Sequence, residues 1–409
     1  SGGASLRCAA PVVALSAEPP RHLGSSPPLA ASWMGGLPAP SDACMVVYTS
    51  GSTGVPKGVM CSHKCLWHSV CCYGDGIDIS VGSQLLWKTP YQWRTAEYEI
   101  YPPICAGGTV FVAPDGANRR LDYLVDTICK HGIDAITTVP TVLAPLAQLL
   151  EQRNGAAVSL RHVAAVGEPL PSQLCGHFLP GGQRLLQNLY GLTETAMTSW
   201  VCSRVPEGSV APAGCPQPSA TVHILRADGV EAAAEEGEIH FGGVLSEGYL
   251  GDSALTTSRF VAHPSAPGGL AFRTGDLGRW NTFGELEVLG RIDRQIKLHG
   301  VRVELGEIEA TIRERCREAV VVPALEDTQT LVAFVAGDGV QPEALRAHVA
   351  EKLPPYMVPL HFRALEALPR LPNDKVDQSA LRALTSGLMT RAKAKRKLEE
   401  GGADVEELG

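Results

Sequence analysis

Between Tyr48 and Met60, four hydroxyl side chains (Thr49, Ser50, Ser52, Thr53) share a short stretch with Gly51, Gly54, Gly58 and Lys57. Glycines let main-chain N–H groups approach an anion, hydroxyls add donors, and the lysine adds a point charge. That is the chemistry of a phosphate cradle. A Walker-type loop is excluded, because it needs glycine where Pro56 stands and Ser or Thr directly after the lysine. The apolar run Met45–Tyr48 ahead of the loop predicts a buried strand, and Cys61 to Tyr73 after it predicts a helix.

Five further blocks follow in order: Asn188-Leu189-Tyr190-Gly191-Leu192-Thr193-Glu194, Phe272-Arg273-Thr274-Gly275-Asp276-Leu277, the stretch from Gly290 to Glu309, Leu353 to Pro359, and Leu371 to Gln378. With the loop, they resemble the adenylate-forming superfamily, which includes acyl-CoA synthetases, luciferases and the adenylation domains of nonribosomal peptide synthetases. The Gln295-x-Lys297 spacing and Val303-Glu304-Leu305-Gly306-Glu307 are similar to the peptide-synthetase branch. Leu192 stands where proline is usual, Asp374 where glycine is, and Gln378 where arginine is.

The resemblance implies a role for each residue. Thr49, Ser50, Gly51, Ser52, Thr53, Gly54 and Lys57 would hold the phosphates of ATP. Asn188, Tyr190 and Gly191 would bind the nucleotide, with Tyr190 packing on the adenine, while Thr193 would touch a phosphate and Glu194 hold Mg²⁺. An aromatic face suits a purine, and a carboxylate can share Mg²⁺ with phosphate oxygens. Asp276 would accept hydrogen bonds from both ribose hydroxyls and Arg291 contact ribose or phosphate. Asp293 would be the hinge between two lobes. Lys375 would bridge the substrate carboxylate and the α-phosphate, with Asp374 beside it as a departure from the family's pattern. The implied reaction is attack of a carboxylate on ATP, giving acyl-AMP and pyrophosphate, then transfer of the acyl group to the phosphopantetheine thiol of a carrier domain. No carrier attachment motif follows Lys375. An acyl-CoA ligase relative and a non-catalytic nucleotide-binding remnant are the alternatives.

In that branch an aspartate pairs with the ammonium of the amino acid. Counting from Lys88-Thr89-Pro90-Tyr91, Arg94 occupies its place. A cation there would repel an α-ammonium by roughly a few kcal/mol in a dry site. The other positions matching the pocket are Thr95, Tyr98, Thr137, Ala164, Val166, Leu189, Met197 and Thr198, medium-sized and mostly apolar. Two roles are open to Arg94. It could meet a second acceptor on a keto acid, hydroxy acid or dicarboxylate, or it could pair internally with Glu97 or Glu99.

The elements needed to position these groups are legible in outline. Strands at Ile133–Val139, His162–Val166 and Arg184–Leu189 alternate with a helix from Thr141 to Gln152, which implies a layered, largely parallel α/β lobe. Short alternating runs at Thr221–Leu225, Gly237–Phe241 and Leu286–Leu289 predict a small β-barrel-like subdomain over about 201–290. A smaller C-terminal α+β lobe follows, with helices from Glu304 to Arg315 and Pro342 to Leu353 and strands at Ala319–Val322 and Leu331–Val335. The expected organisation is a linker over 1–40, a large lobe over 41–292, a small lobe over 293–385 and a charged tail over 386–409. Family members carry a longer region ahead of the loop, so the chain is expected to be a piece of a larger protein.

The 409 residues provide ample core for more than one domain, and the formal net charge of −8 argues against nucleic acid or an anionic membrane as a partner. No apolar run reaches the length of a bilayer span, and Pro11 interrupts the short apolar run from Cys8 to Ala17 that could imitate a signal peptide. Twelve scattered cysteines fit reduced thiols and a cytoplasmic setting. Cys61, His63, Cys65 and His68 have the types and spacing of metal ligands, but the fold requires no metal there.

Overall fold

The computed structural model describes residues 38–50, 56–77, 79–153, 159–178, 185–202, 204, 210–232, 235–298, 300–325, 327–337, 341–371 and 376–386. Strands β1 (Ala43–Thr49) and β2 (Lys57–Ser62) pair antiparallel, with Thr49 opposite Lys57. Helix α1 (His63–Gly76) follows at once. Two expectations are corrected. The chain after the loop runs as a strand through Ser62 before the helix begins, because Val59 and Cys61 recur at period two and are buried with Tyr249, Phe260 and Phe272. The strand ahead of the loop is only half-buried. It belongs to a two-stranded sheet, and Val46 and Tyr48 are 39% and 59% exposed.

The large lobe continues through β3 (Gln84–Trp87), α2 (Ala96–Ala106), β4 (Thr109–Val112), α3 (Leu121–His131), β5 (Ala135–Thr138), α4 (Pro140–Gln152), β6 (His162–Val166), α5 (Ser172–Cys175), β7 (Leu185–Gly191), β8 (Met197–Val201) and β9 (Cys215–Pro216). Among the described residues, seven strands form one sheet in the order β4-β3-β5-β6-β7-β8-β9. The first five are parallel and the last two antiparallel. Side chains alternate across this sheet. Leu86, Ile136, Val163, Ala165 and Leu186 pack with Leu124 and Ile128 of α3 and Leu143 and Leu146 of α4. Leu85, Ala135, Ala164, Val166 and Leu189 pack on the other face with Tyr73 of α1 and Tyr98 of α2.

The chain then forms β10 (Ala220–Leu225), β11 (Gly237–Gly243), α6 (Ser253–Arg259), β12 (Phe260–Ala262), β13 (Leu270–Trp280) and β14 (Leu286–Arg291). They make an antiparallel sheet in the order β10-β11-β13-β12, with β14 also pairing with β13. Its core face carries Ile224, Ile239, Phe241 and Leu286.

The hairpin β15 (Gln295–Leu298) and β16 (Val301–Glu304) leads into α7 (Leu305–Arg313), β17 (Glu318–Pro323), β18 (Leu331–Ala336), α8 (Pro342–Lys352), β19 (His361–Leu365) and α9 (Gln378–Ala383). β18 pairs antiparallel with β17 and parallel with β19. Val321, Ala333 and Val335 pack with Ile308 and Ile312 of α7 and Leu345 and Val349 of α8, while Val332 and Phe334 pack with Leu381 of α9. Among the described residues no helix is long and apolar enough to cross a membrane, and eleven cysteines are free thiols.

Candidate active site

Glu194 follows the end of β7 and is 0% exposed. Its carboxylate accepts from the Tyr249 hydroxyl at 2.7 Å and from Arg302 Nη1 at 3.1 and 3.0 Å. Burial opposes its charge, but Arg302, Lys57 and the Tyr249 hydroxyl hold its pKa below the usual carboxylate range. Lys57, at the start of β2, lies 5.4 Å from the Tyr249 ring centroid. Burial, then Arg302, brings its pKa down to about 8, with Glu194 pulling the other way. The buried Thr49 hydroxyl has no hydrogen-bond partner among the described residues, and Ser50 Oγ donates to the Arg302 carbonyl at 2.8 Å.

A second network begins at Tyr190 on β7. Its hydroxyl donates to Asp276 Oδ2 at 2.6 Å, and Arg291 Nη1 donates to Asp276 Oδ1 at 2.6 Å. Arg291 also grips Asp293 through Nε and Nη2, both at 2.6 Å. This packing depends on Gly275 within β13, whose φ is +76°. A Cβ there would lie 2.8 Å from Arg291 Nη2 and 2.9 Å from Asp293 Oδ2. Lys297 Nζ lies 5.8 Å from the Tyr190 ring centroid, on an aromatic face of the kind that suits a purine.

The β15–β16 hairpin joins the two networks. Lys297 and Arg302 are direct cross-strand partners, so both point to one side, while Ile296, Leu298, Val301 and Val303 face the small-lobe core. At the hairpin tip Gly300 lies against Gly167, which follows β6. Both have positive φ, +79° and +90°, and a Cβ on Gly167 would come within 3.4 Å of Gly300 Cα.

Arg94 is buried, and every donor of its guanidinium has a protein partner. Nε pairs with Glu97 at 3.4 Å, and Nη1 donates to the carbonyls of Thr193 and, at 3.3 Å, Thr195. Nη2 donates to Cys65 Sγ at 3.1 Å and Ser69 Oγ at 2.9 Å. Of the two roles left open by the sequence, internal pairing is the one this geometry carries, and the partner is Glu97. Glu99 is engaged elsewhere, by Lys88 at 3.1 Å and by the amide and hydroxyl of Thr89. The idea of a second acceptor on the substrate therefore loses its support. Burial pushes Glu97 up to about 7 against the pull of Arg94.

Most of the remaining pocket positions converge. Tyr98, Ala164, Val166, Leu189 and Met197 share one buried cluster with Tyr73, whose ring stacks on Tyr98 at 4.7 Å. The Thr137 hydroxyl is hydrogen-bonded to the Tyr73 hydroxyl, and Thr198 Oγ1 reaches the Tyr190 carbonyl at 3.4 Å. Thr95 precedes α2. Asn188 is structural, donating to the Pro212 carbonyl at 2.8 Å, and Gly191 closes β7 opposite Met197. Lys375 and the loop residues Gly51, Ser52, Thr53 and Gly54 lie outside the described residues.

The profile of the AMP-binding enzyme family matches residues 9–250, more than half of the chain, and that of the AMP-binding enzyme C-terminal domain matches residues 307–375. The chain belongs to the AMP-binding enzyme family. Within that family it is similar to tyrocidine synthase 3 of Brevibacillus parabrevis, 37% identical over 349 residues, which are 83% of this chain and 5% of that protein. Enterobactin synthase component F of Escherichia coli (strain K12) is 32% identical over 373 residues, 84% of this chain and 28% of that protein. The Vibrio cholerae adenylation domain AlmE, solved in complex with glycyl-adenosine-5'-phosphate, superposes with a TM-score of 0.74 at 26% identity, over 85% of this chain and 67% of that one. The fold is thus that of the adenylation domains, a large α/β lobe with a smaller C-terminal lobe.

Three groups of this candidate site carry no assigned role from the sequence: Tyr249, Lys297 and Arg302. The two cations sit in a visible pattern. Two short alternating strands flank His299-Gly300, which reads as a two-residue hairpin and places positions 297 and 302 side by side. Tyr249 has a weaker signal, a Gly-Tyr pair ahead of a helix capped by Asp252.

Proposed function

We propose that this chain adenylates a carboxylic acid with ATP and passes the acyl group to a phosphopantetheine thiol on a carrier domain. The observation that supports it best is a continuous set of contacts. It runs from Lys57 through Tyr249 and Glu194 to Arg302, and from Lys297 through Tyr190, Asp276 and Arg291 to Asp293. The groups proposed to meet phosphate, purine and ribose, which come from distant segments, are thus linked to one another by contacts, and this supports the reading.

In the first step a substrate carboxylate oxygen bonds to the α-phosphorus, the bond from that phosphorus to the bridging oxygen breaks, and pyrophosphate leaves with the electron pair. Lys57 and Lys375 offset the phosphate charge, Asp276 and Arg291 fix the ribose, and Tyr190 fixes the base. Glu194, a buried acceptor-only carboxylate, fits the way Mg²⁺ is held by one protein carboxylate plus phosphate oxygens, and the ion would supply charge neutralisation. In the second step the thiol sulfur bonds to the acyl carbon, AMP leaves, and the thiol proton passes to solvent.

As the chain is described, Arg302 occupies Glu194 and Lys297 covers Tyr190. The small-lobe hairpin must withdraw for the first step, and Asp293, gripped by Arg291 at the lobe junction, is the proposed hinge. The substrate side of the site has Glu97 and Glu99 both paired with cations. This favours an acid without an α-ammonium, with an apolar body for the Tyr98–Val166–Leu189 cluster. Exchange of labelled pyrophosphate into ATP, measured across amino, keto, hydroxy, dicarboxylic and aryl or aliphatic acids, tests the reading. Exchange with the last class, abolished by Lys375→Ala, is expected. Exchange with no acid despite ATP binding overturns it, and thioester formed on free CoA but on no carrier overturns the second step.

A further inference from the structure

Two imidazoles and a carboxylate meet on the β-subdomain, with His223 between Val222 and Ile224, which pack in its core. The side chain of His223 on β10 is hydrogen-bonded to Glu231, Nδ1 to Oε1 2.7 Å, and its ring centroid is 4.1 Å from that of His263, the residue after β12. One ligand-capable atom from each of His223, Glu231 and His263 falls within 4.8 Å of the other two. His263 is 8% exposed, and its Nδ1 is buried without a hydrogen-bond partner among the described residues. A buried imidazole nitrogen left unpaired is costly unless a donor or a cation takes its lone pair or an acceptor takes its N–H.

The surroundings have the form of an outer shell. Thr221 Oγ1 stands 3.0 Å from His223 Nε2. Metal-binding histidines commonly donate their second N–H to such an acceptor, and here that would free Nδ1 toward Glu231 and His263. Glu231 is 58% exposed, which opens the cluster to solvent and gives an ion a way in.

We propose that His223, Glu231 and His263 bind a divalent cation of borderline softness, Zn²⁺ foremost, with water in the remaining position. Two imidazoles and one carboxylate form a donor set that suits zinc and disfavours magnesium and calcium, which take oxygen ligands. Position in the fold suggests the purpose. His263 lies in the connection from β12 to β13, which closes on itself through His263 N–H to the Gly269 carbonyl and lays Ala266 against Gly242 of β11, next to Thr221 of β10. The cation would tie this connection to β10.

The test uses the full chain, stripped with a chelator and free of nucleotide. Titration with Zn²⁺, read by calorimetry and thermal unfolding, is expected to show one tight equivalent and a higher melting temperature. Co²⁺ should give the visible spectrum of a four-coordinate nitrogen–oxygen site, with no sulfur charge-transfer band. Glu231→Gln, at an exposed side chain, and His263→Asn should each weaken binding by more than ~10-fold. His177→Asn, at an unrelated histidine–glutamate pair, should not. Tight binding unchanged in Glu231→Gln, a thiolate-type Co²⁺ spectrum, or no stoichiometric binding each overturns the proposal. Should His263→Asn fail to fold, Glu231→Gln and the spectrum still decide.

Discussion

Arg94 donates to the main-chain carbonyl of Thr193, so a buried guanidinium just ahead of α2 holds the residue that precedes Glu194. Its other donors reach Glu97, Cys65, Ser69 and Thr195, which ties α1, α2 and the turn after β7 into one block. Arg94→Met leaves Glu97 buried without its cation and strands two carbonyls. A loss of about 3–5 kcal/mol is expected for breaking a buried pair from one side. Urea unfolding measures it, and the double variant with Glu97→Leu should recover part of the loss. Wild-type stability for Arg94→Asp, together with newly gained activation of an α-amino acid, would instead place Arg94 against the substrate.

The Arg302–Glu194 pair makes opposite predictions for the two half-reactions. Arg302→Met frees Glu194 for the nucleotide, so pyrophosphate exchange should persist or rise. Carrier loading should fall roughly 10- to 100-fold, the worth of a charge-assisted hydrogen bond of about 1.5–3 kcal/mol. Parallel exchange and loading assays check this; an equal fall in both contradicts it.

Lys57 gives a pH signature. In the free protein its pKa is about 8, below the usual lysine value, because burial and Arg302 disfavour the ammonium. ATP phosphates favour it. Above pH 8 binding must therefore take up a proton, and ATP affinity should fall as pH rises, by up to about tenfold per unit. Calorimetry in two buffers of different ionisation enthalpy counts the proton. Lys57→Met should bind more weakly and lose the slope, and a flat wild-type profile between pH 8 and 9.5 contradicts the assignment.

Asp276 receives Tyr190 and Arg291 on separate oxygens, so its two neighbours are separable. Asp276→Ala should raise the KM for ATP by roughly 10- to 100-fold, since it removes a charged acceptor worth about 1.5–3 kcal/mol and unpairs Arg291. Tyr190→Phe keeps the ring and loses only the hydroxyl, so it should cost less than tenfold. Steady-state exchange kinetics rank the two variants, and the reverse order would remove Asp276 from the ribose.

The large lobe was legible because strand and helix periods differ and the parallel strands are uninterrupted. His162–Val166 appears as read, and β5, β7, α4, α7 and α8 within a few residues. The loop's return failed, since Lys57–Ser62 is too short a run for its period to be told from the start of the helix that follows. Burial of Val59 and Cys61 against Tyr249, Phe260 and Phe272, far along the chain, decides it. Arg94 was readable only as a cation in an unusual place. Which of Glu97, Glu99 or a ligand meets it depends on how α2 is turned, and local spacing does not carry that. Lys297 and Arg302 lay in a readable hairpin, but their reach into another lobe is a tertiary fact.

At Gly167 and Gly300 the lobes come close, but the two glycines limit the approach differently. A Cβ on Gly300 would lie 2.4 Å from Val139 Cγ1, so a carbon added there acts as a spacer and halts the small lobe farther out. A Cβ on Gly167 would only touch Gly300 Cα at 3.4 Å, and its cost lies in the +90° φ of that position. In other AMP-binding enzymes, the residue at the place of Gly300 should report how deeply the hairpin can be seated.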